Sequence, residues 1–206
     1  MIRILSICGS PVPQSSTEIL LREMASAVAA NLDERCRHDF VHLADLDIAP
    51  CQACGEAPLP QFCFIDDAMT SLYTKLIDCD CLLFGSPVYF DSVSAQAKLF
   101  IDRCNCLRPA NFNSQPAQGH FIRLIKRERP GAIVLTGSER AWFEGARRCV
   151  AGFMKWIEVT NEACLKFCST DLNRKGEAGD DPAALDEADR MGRCLARIIR
   201  KQRVRR

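Results

Sequence analysis

Histidine is scarce in this sequence: 206 residues contain His38, His42 and His120 and no others. None of the three stands in a pattern with a serine or cysteine nucleophile and a carboxylate, so a hydrolytic triad has no basis and no side chain is assigned a catalytic acid–base role. Long apolar runs are absent too. A membrane-spanning helix needs about 20 of them in a row, so no membrane partner is expected. A net charge of +1 gives no overall field toward nucleic acid, and none is expected to bind. The basic ending RIIRKQRVRR reads as a solvated helix end rather than a binding tail. No cleavage-type segment follows the apolar residues 2–8, so a cytoplasmic protein is expected. Cysteine, by contrast, is plentiful, with 13 residues. In a reducing compartment these act as core thiols, metal ligands or redox groups rather than disulfides.

The familiar phosphate-binding signatures are missing as well. The stretch ICGSPVPQSSTEILL, residues 7–21, leaves an apolar run through small and hydroxyl residues with no Lys or Arg among them. A Walker loop would need Gly-Lys-Ser/Thr before the helix. Tyrosine-phosphatase chemistry would need an Arg six residues after Cys8, where Gln14 stands. The dinucleotide fingerprint GxGxxG is absent. What the stretch does hold is Ser10, then Ser15, Ser16 and Thr17 at the start of an amphipathic segment, with Ser15 and Glu18 spaced as a capping box. Hydroxyls and unpaired N–H groups at the positive end of a helix make a neutral cradle for one terminal phosphate monoester.

The chain alternates short apolar runs with helical periodicity. Strands are expected at 1–8, 37–44, 81–85, 131–137 and within 161–169. Helices are expected at 17–32, 67–77, 93–106, roughly 141–155, and from Asp181-Pro182 onward. A long Pro- and Cys-rich connection covers 45–64. Such alternation predicts an α/β fold, a doubly wound five-stranded parallel sheet with helices on both faces, in one domain over 1–206. Ligands bind beyond the carboxyl ends of such strands, which places the chemistry after Cys8, Gly85 and Leu135. At the second of these points, GSPVYFDSVSAQAKLFIDR (85–103) puts Gly85 and Pro87 at the strand's end and Tyr89 and Phe90 at the sheet edge. Ser92 and Ser94 then stand ready to cap the next helix.

That stretch resembles the second flavin loop of the flavodoxin-like NADPH-dependent FMN reductases and iron–sulfur flavoproteins. Gly9, Ser10, Pro11 and Thr17 are similar to the family's phosphate loop, with Val12 where the family often has Arg. The ending RKGEAGDDPAALDEADRMGRCLA is also similar. The resemblance implies non-covalent FMN, with Ser10, Ser15, Ser16 and Thr17 at its phosphate. Pro87, Val88, Tyr89, Phe90 and Ser92 would shape the isoalloxazine pocket, and Thr136 and Gly137 would close the far edge. Trp142 and Phe143 flank the flavin, a partner subunit or the helix packing. The resemblance further implies NAD(P)H as co-substrate, a small-molecule electron acceptor such as a flavin or quinone, and a homodimer or higher homo-oligomer. The alternative is a flavoprotein electron carrier without a nicotinamide site, with or without an iron–sulfur cluster.

Iron–sulfur flavoproteins carry a compact four-cysteine loop where this sequence has CQACGEAPLPQFC. Cys51, Cys54 and Cys63 are in place and Ala57 stands where the third thiolate would be. A [4Fe–4S] cluster takes four thiolates, as does structural zinc, for which His42 is only a remote fourth ligand. No cluster or metal is therefore expected, with Cys79 and Cys81 as the nearest alternatives in sequence. Cys36, Cys104, Cys106, Cys149, Cys164, Cys168 and Cys194 read as small apolar core residues.

Overall fold

The computed structural model describes residues 1–55, 62–108, 125, 127–171 and 174–204. Ala57 and His120 lie outside them. Five strands run parallel: β1 (Ile2–Cys8), β2 (Cys36–His42), β3 (Cys81–Tyr89), β5 (Arg129–Ser138) and β6 (Val159–Ser169), in the order β2-β1-β3-β5-β6. A two-residue strand, β4 (Ser92–Val93), folds back antiparallel on β3. Helices α1 (Ser16–Ala30), α2 (Met69–Asp78), α3 (Ala95–Arg103), α4 (Glu144–Trp156) and α5 (Pro182–Val204) fill the crossovers and the end of the chain.

The apolar runs are continuous because both sheet faces are buried, so alternate residues serve opposite cores. Leu82 and Phe84 join Leu5, Ile7, Ile133 and Leu135 on the face covered by Tyr73, Phe100 and Phe153. Leu83 joins Ile4 and Val134 on the face covered by Leu21, Met24 and Leu195 of α1 and α5. Phe84, Phe100 and Phe153 meet with ring centroids 5.6–6.0 Å apart. Gly192 lets α5 settle on α1, since a Cβ there would stand 2.5 Å from the Met24 carbonyl oxygen.

Two details depart from the expectation. Gly85 and Pro87 do not end β3, which runs on to Tyr89. The β1 pairing stops at Gly85, and residues 86–87 pair only with β5. Pro87 thus sits where one side of the strand is open and no ladder N–H is missed. Cys168 and Cys194 are exposed rather than core, whereas Cys104 and Cys106 are buried. Sequence periodicity also does not reveal Arg129. It is buried to 1% exposure and donates to the Leu76 and Ile157 carbonyls at the last turns of α2 and α4, satisfying orphan acceptors there.

Candidate functional site

The loops after β1, β3 and β5 meet at the carboxyl edge of the sheet, beside the point where β1 is flanked by β2 on one side and β3 on the other. Loop one leaves β1 in contact with loop two. The Gly9 N–H donates to the Gly85 carbonyl at 2.7 Å, and the Ser94 hydroxyl donates to the Gly9 carbonyl at 2.5 Å. A Cβ on Gly9 would stand 2.7 Å from Ala97 Cβ, so only glycine lets the two loops close. Cys8 beneath them is buried, and burial pushes its thiol up to about 11. It is a core thiol, not a nucleophile.

Ser15 caps α1, accepting from Glu18 N at 3.3 Å. The Glu18 carboxylate reaches back to Gln14 N at 2.8 Å rather than to the capping residue's own N–H, because Gln14 adopts a left-handed φ of 57°. Ser16 Oγ accepts from Ala178 N at 3.1 Å, which ties loop one to the segment before α5. Thr17 Oγ1 and Thr136 Oγ1 lie 2.7 Å apart and buried. Ser10 Oγ spends its proton on the Val12 carbonyl at 3.1 Å while accepting from Val12 N. Each hydroxyl has one proton to give. Those of Ser15 and Ser16 accept in these contacts and keep theirs, the threonine pair keeps one, and that of Ser10 is committed to its own turn. The N–H groups of Ser16 and Thr17 open α1 and have no intrahelical acceptor.

Loop two is a hairpin. Val88 pairs with Val93 and Tyr89 with Ser92, and the two linking residues, Phe90 and Asp91, have φ of 52° and 57°, a tight turn of the kind usually built from Asn-Gly. Ser92 therefore lies in β4 and does not cap α3; Ser94 does, accepting from Ala97 N at 3.2 Å. The turn leaves Phe90 wholly exposed (105%) and Tyr89 half exposed (49%). Asp91 crosses to loop three and caps α4 through Gly145 N at 2.9 Å. In loop three, Gly137 is hemmed in by Ala141 and Phe143, and Trp142 stands out at 78% exposure. Among the described residues, and apart from Met1, the exposed large apolar side chains are Val12, Phe64, Tyr89, Phe90 and Trp142. Four of these five lie on the three loops at this edge.

Beside α1 the loop after β6 is organised by Glu177. Its carboxylate accepts from the Ser169 and Thr170 hydroxyls and from the N–H groups of Thr170 and Asp171. Those bonds, Ser169's foremost, hold its pKa at about 2. Asp91 and Glu177 are site-building residues that sequence reading passed over, whereas Ser94 caps α3 as its place ahead of that helix led one to expect. The signals, an Asp-Ser pair ahead of a helix and Glu177 near a Gly, are too common to single out.

Residues 2–161 match the NADPH-dependent FMN reductase family. The chain belongs to that family. An iron–sulfur flavoprotein of Methanocaldococcus jannaschii is 27% identical over 203 residues, covering 96% of this chain and 97% of its own. Among solved structures, a flavone reductase superposes with a TM-score of 0.69 at 14% identity, over 97% of this chain and 63% of that one. An archaeal flavodoxin superposes with a TM-score of 0.55 at 12% identity, over 97% and 99%. The chain is thus an FMN-dependent oxidoreductase with a flavodoxin-like fold.

The site residues fit FMN. The α1 N-terminus with its hydroxyls suits a phosphate monoester without a cation, and the open aromatic rim beside Thr136 and Gly137 suits a flat ring system. Cys51, Cys54, Cys63 and Cys106 line one cavity. Among the described residues no group of three or more His, Cys, Asp or Glu is arranged to hold a metal ion. His42 lies instead 3.7 Å from Glu18.

Proposed function

We propose that this FMN reductase family member oxidises NAD(P)H through its bound FMN and delivers the electrons to a small planar acceptor such as a free flavin or a quinone. The supporting observation is the geometry of loops two and three. Tyr89, Phe90 and Trp142 are exposed on the loops at the sheet edge, where they offer apolar surface to a flat co-substrate. FMN, when bound, supplies hydride acceptance and electron release; the chain supplies binding, orientation and electrostatics. Ser15, Ser16 and the Thr17–Thr136 pair hold the phosphate end through hydroxyls and helix N–H groups. Gly9 and Gly85 bring loops one and two together, fixing the distance between phosphate cradle and hairpin. Asp91 anchors the hairpin on α4, so the aromatic rim is held from both ends. No side chain has to move a proton for hydride delivery.

The same apolar rim supports a homodimer, in which a second copy covers Phe90 and Trp142 while leaving the cleft open from one side. Among the described residues no helix is long and apolar enough to cross a membrane. The test is steady-state consumption of NADH and NADPH by FMN-loaded protein with a quinone or free flavin as acceptor. Turnover with either nicotinamide supports the reading. Reduction only by a protein donor favours the electron-carrier alternative.

A further inference from the structure

The connection between β2 and α2 is clamped at its base by one buried cation. Arg103, 1% exposed, donates to the Ala49 carbonyl at 2.8 Å, to the Ile65 carbonyl at 3.3 Å and to both oxygens of Asp67. Asp67 also accepts from Ala49 N and Met69 N. Opening this base would strand a buried charge, so the segment between 49 and 67 is a fixed platform at its two ends. It carries three cysteines, and α3 runs on into a fourth, Cys106, on the same cavity.

These four thiols fall into two classes. Cys106 is buried, its S–H donates to the Arg103 carbonyl at 3.3 Å, and burial pushes its pKa up to about 11; it stays a poorly nucleophilic thiol near neutral pH. Cys63 is half-buried and its sulfur accepts from Arg103 Nη2 at 3.7 Å. Cys51 and Cys54 are both exposed. Between them Ala53 is held at a left-handed φ of 49°, with its N–H donating to Cys51 Sγ at 3.5 Å. The Cys-x2-Cys spacing is that of redox dithiols.

We propose that Cys51 and Cys54 form a reversible dithiol–disulfide pair that exchanges with low-molecular-weight disulfides. The Cys51 thiolate attacks one sulfur of the external disulfide and releases one thiol. The Cys54 thiolate then attacks the mixed disulfide and releases the second. The pair loses two electrons and two protons, and the external disulfide becomes two thiols. The exchange involves no flavin and stands independently of the nicotinamide reading.

The experiment equilibrates the full chain, with FMN, in glutathione buffers from reduced to oxidised, alkylates remaining thiols, and maps them by mass. Cleavage after Glu56 separates Cys51 and Cys54 from Cys63. The expected result is a peptide lighter by two hydrogens carrying both Cys51 and Cys54 in oxidised buffer, restored on reduction, with Cys63 and Cys106 alkylated throughout. Cys54→Ser should then trap glutathione on Cys51. Alkylation of Cys51 and Cys54 at every poise overturns the proposal, and so does pairing of either with Cys63. Protection of the thiols that is lifted by a chelator, with iron or zinc released, overturns it in favour of a metal site.

Discussion

Thr17 and Thr136, 119 residues apart in sequence, place their hydroxyl oxygens 2.7 Å apart beneath the three loops. This contact joins the first turn of α1 to the end of β5 and so fixes together two of the loops that the proposed reading assigns to FMN. Both residues are buried, at 1% and 8% exposure. Replacing one threonine with valine leaves the other hydroxyl unsatisfied and should destabilise the apo-protein by about 1–3 kcal/mol, while replacing both should come close to neutral. Urea denaturation of the two single variants and the double variant checks this; additive losses would show that the pair is not coupled.

The hairpin is predicted to depend on loop three. A Cβ on Gly145 would stand 2.1 Å from the Asp91 carbonyl oxygen, a backbone atom that cannot rotate away. Gly145→Ala should displace the hairpin and lower FMN affinity. Asp91→Ala should remove the α4 cap, for about 0.5–2 kcal/mol, and also loosen FMN. Isothermal titration with FMN and thermal melts of both variants separate the two effects.

Phe90 gives the opposite pattern. Its ring is in solvent and its backbone is left-handed, a conformation that Asn tolerates better than Phe. Phe90→Asn should hold or raise the melting temperature while reducing turnover with planar acceptors. A lowered melting temperature with unchanged turnover would assign the ring to folding instead.

Much of this was legible in the sequence, and the parts that were not have physical causes. The five parallel strands followed from apolar runs, and the Ser15 cap from its spacing to Glu18. The β4 strand did not, because two residues carry no period and Phe90-Asp91 is unusual turn chemistry. Pro87 misled in its own way: a missing ladder N–H ends a strand flanked on both sides, but β1 has already turned away there. The hydroxyls were legible as a set, yet their partners were not. Only the fold brings Thr136 to Thr17, Ala178 to Ser16, and Arg103 to Asp67.

Removing the Arg103 guanidinium should break the cysteine-loop base. Arg103→Met strands the Asp67 carboxylate, which burial pushes up and the Arg103 hydrogen bond pulls below its ordinary value. Breaking such a buried pair should destabilise by about 3–5 kcal/mol, and pairing it with Asp67→Leu should recover part of the loss. Chemical denaturation of the single and double variants tests the clamp.

Acid should expose the role of Glu177. Its hydrogen bonds lower its pKa from 4.5 to about 2. The folded state thus holds the carboxylate deprotonated where the unfolded chain would protonate it. Glu177 therefore contributes its full pH-linked stability above pH 4.5 and loses it as pH falls toward about 2. The stability gap between the protein and Glu177→Gln should narrow across that window. A gap that stays constant with pH would mean the hydrogen bonds at 169–171 do not favour the charged form.

The central claim is that the loops after β1, β3 and β5 hold FMN for reduction by a nicotinamide. Its most direct test is an anaerobic titration of apo-protein with FMN, followed by addition of NADPH or NADH, watched by flavin absorption. The account predicts one FMN bound per chain, weakened by Ser16→Ala, and bleaching of the bound flavin by at least one nicotinamide. FMN that does not bind, or bound FMN that dithionite bleaches and neither nicotinamide does, would contradict it.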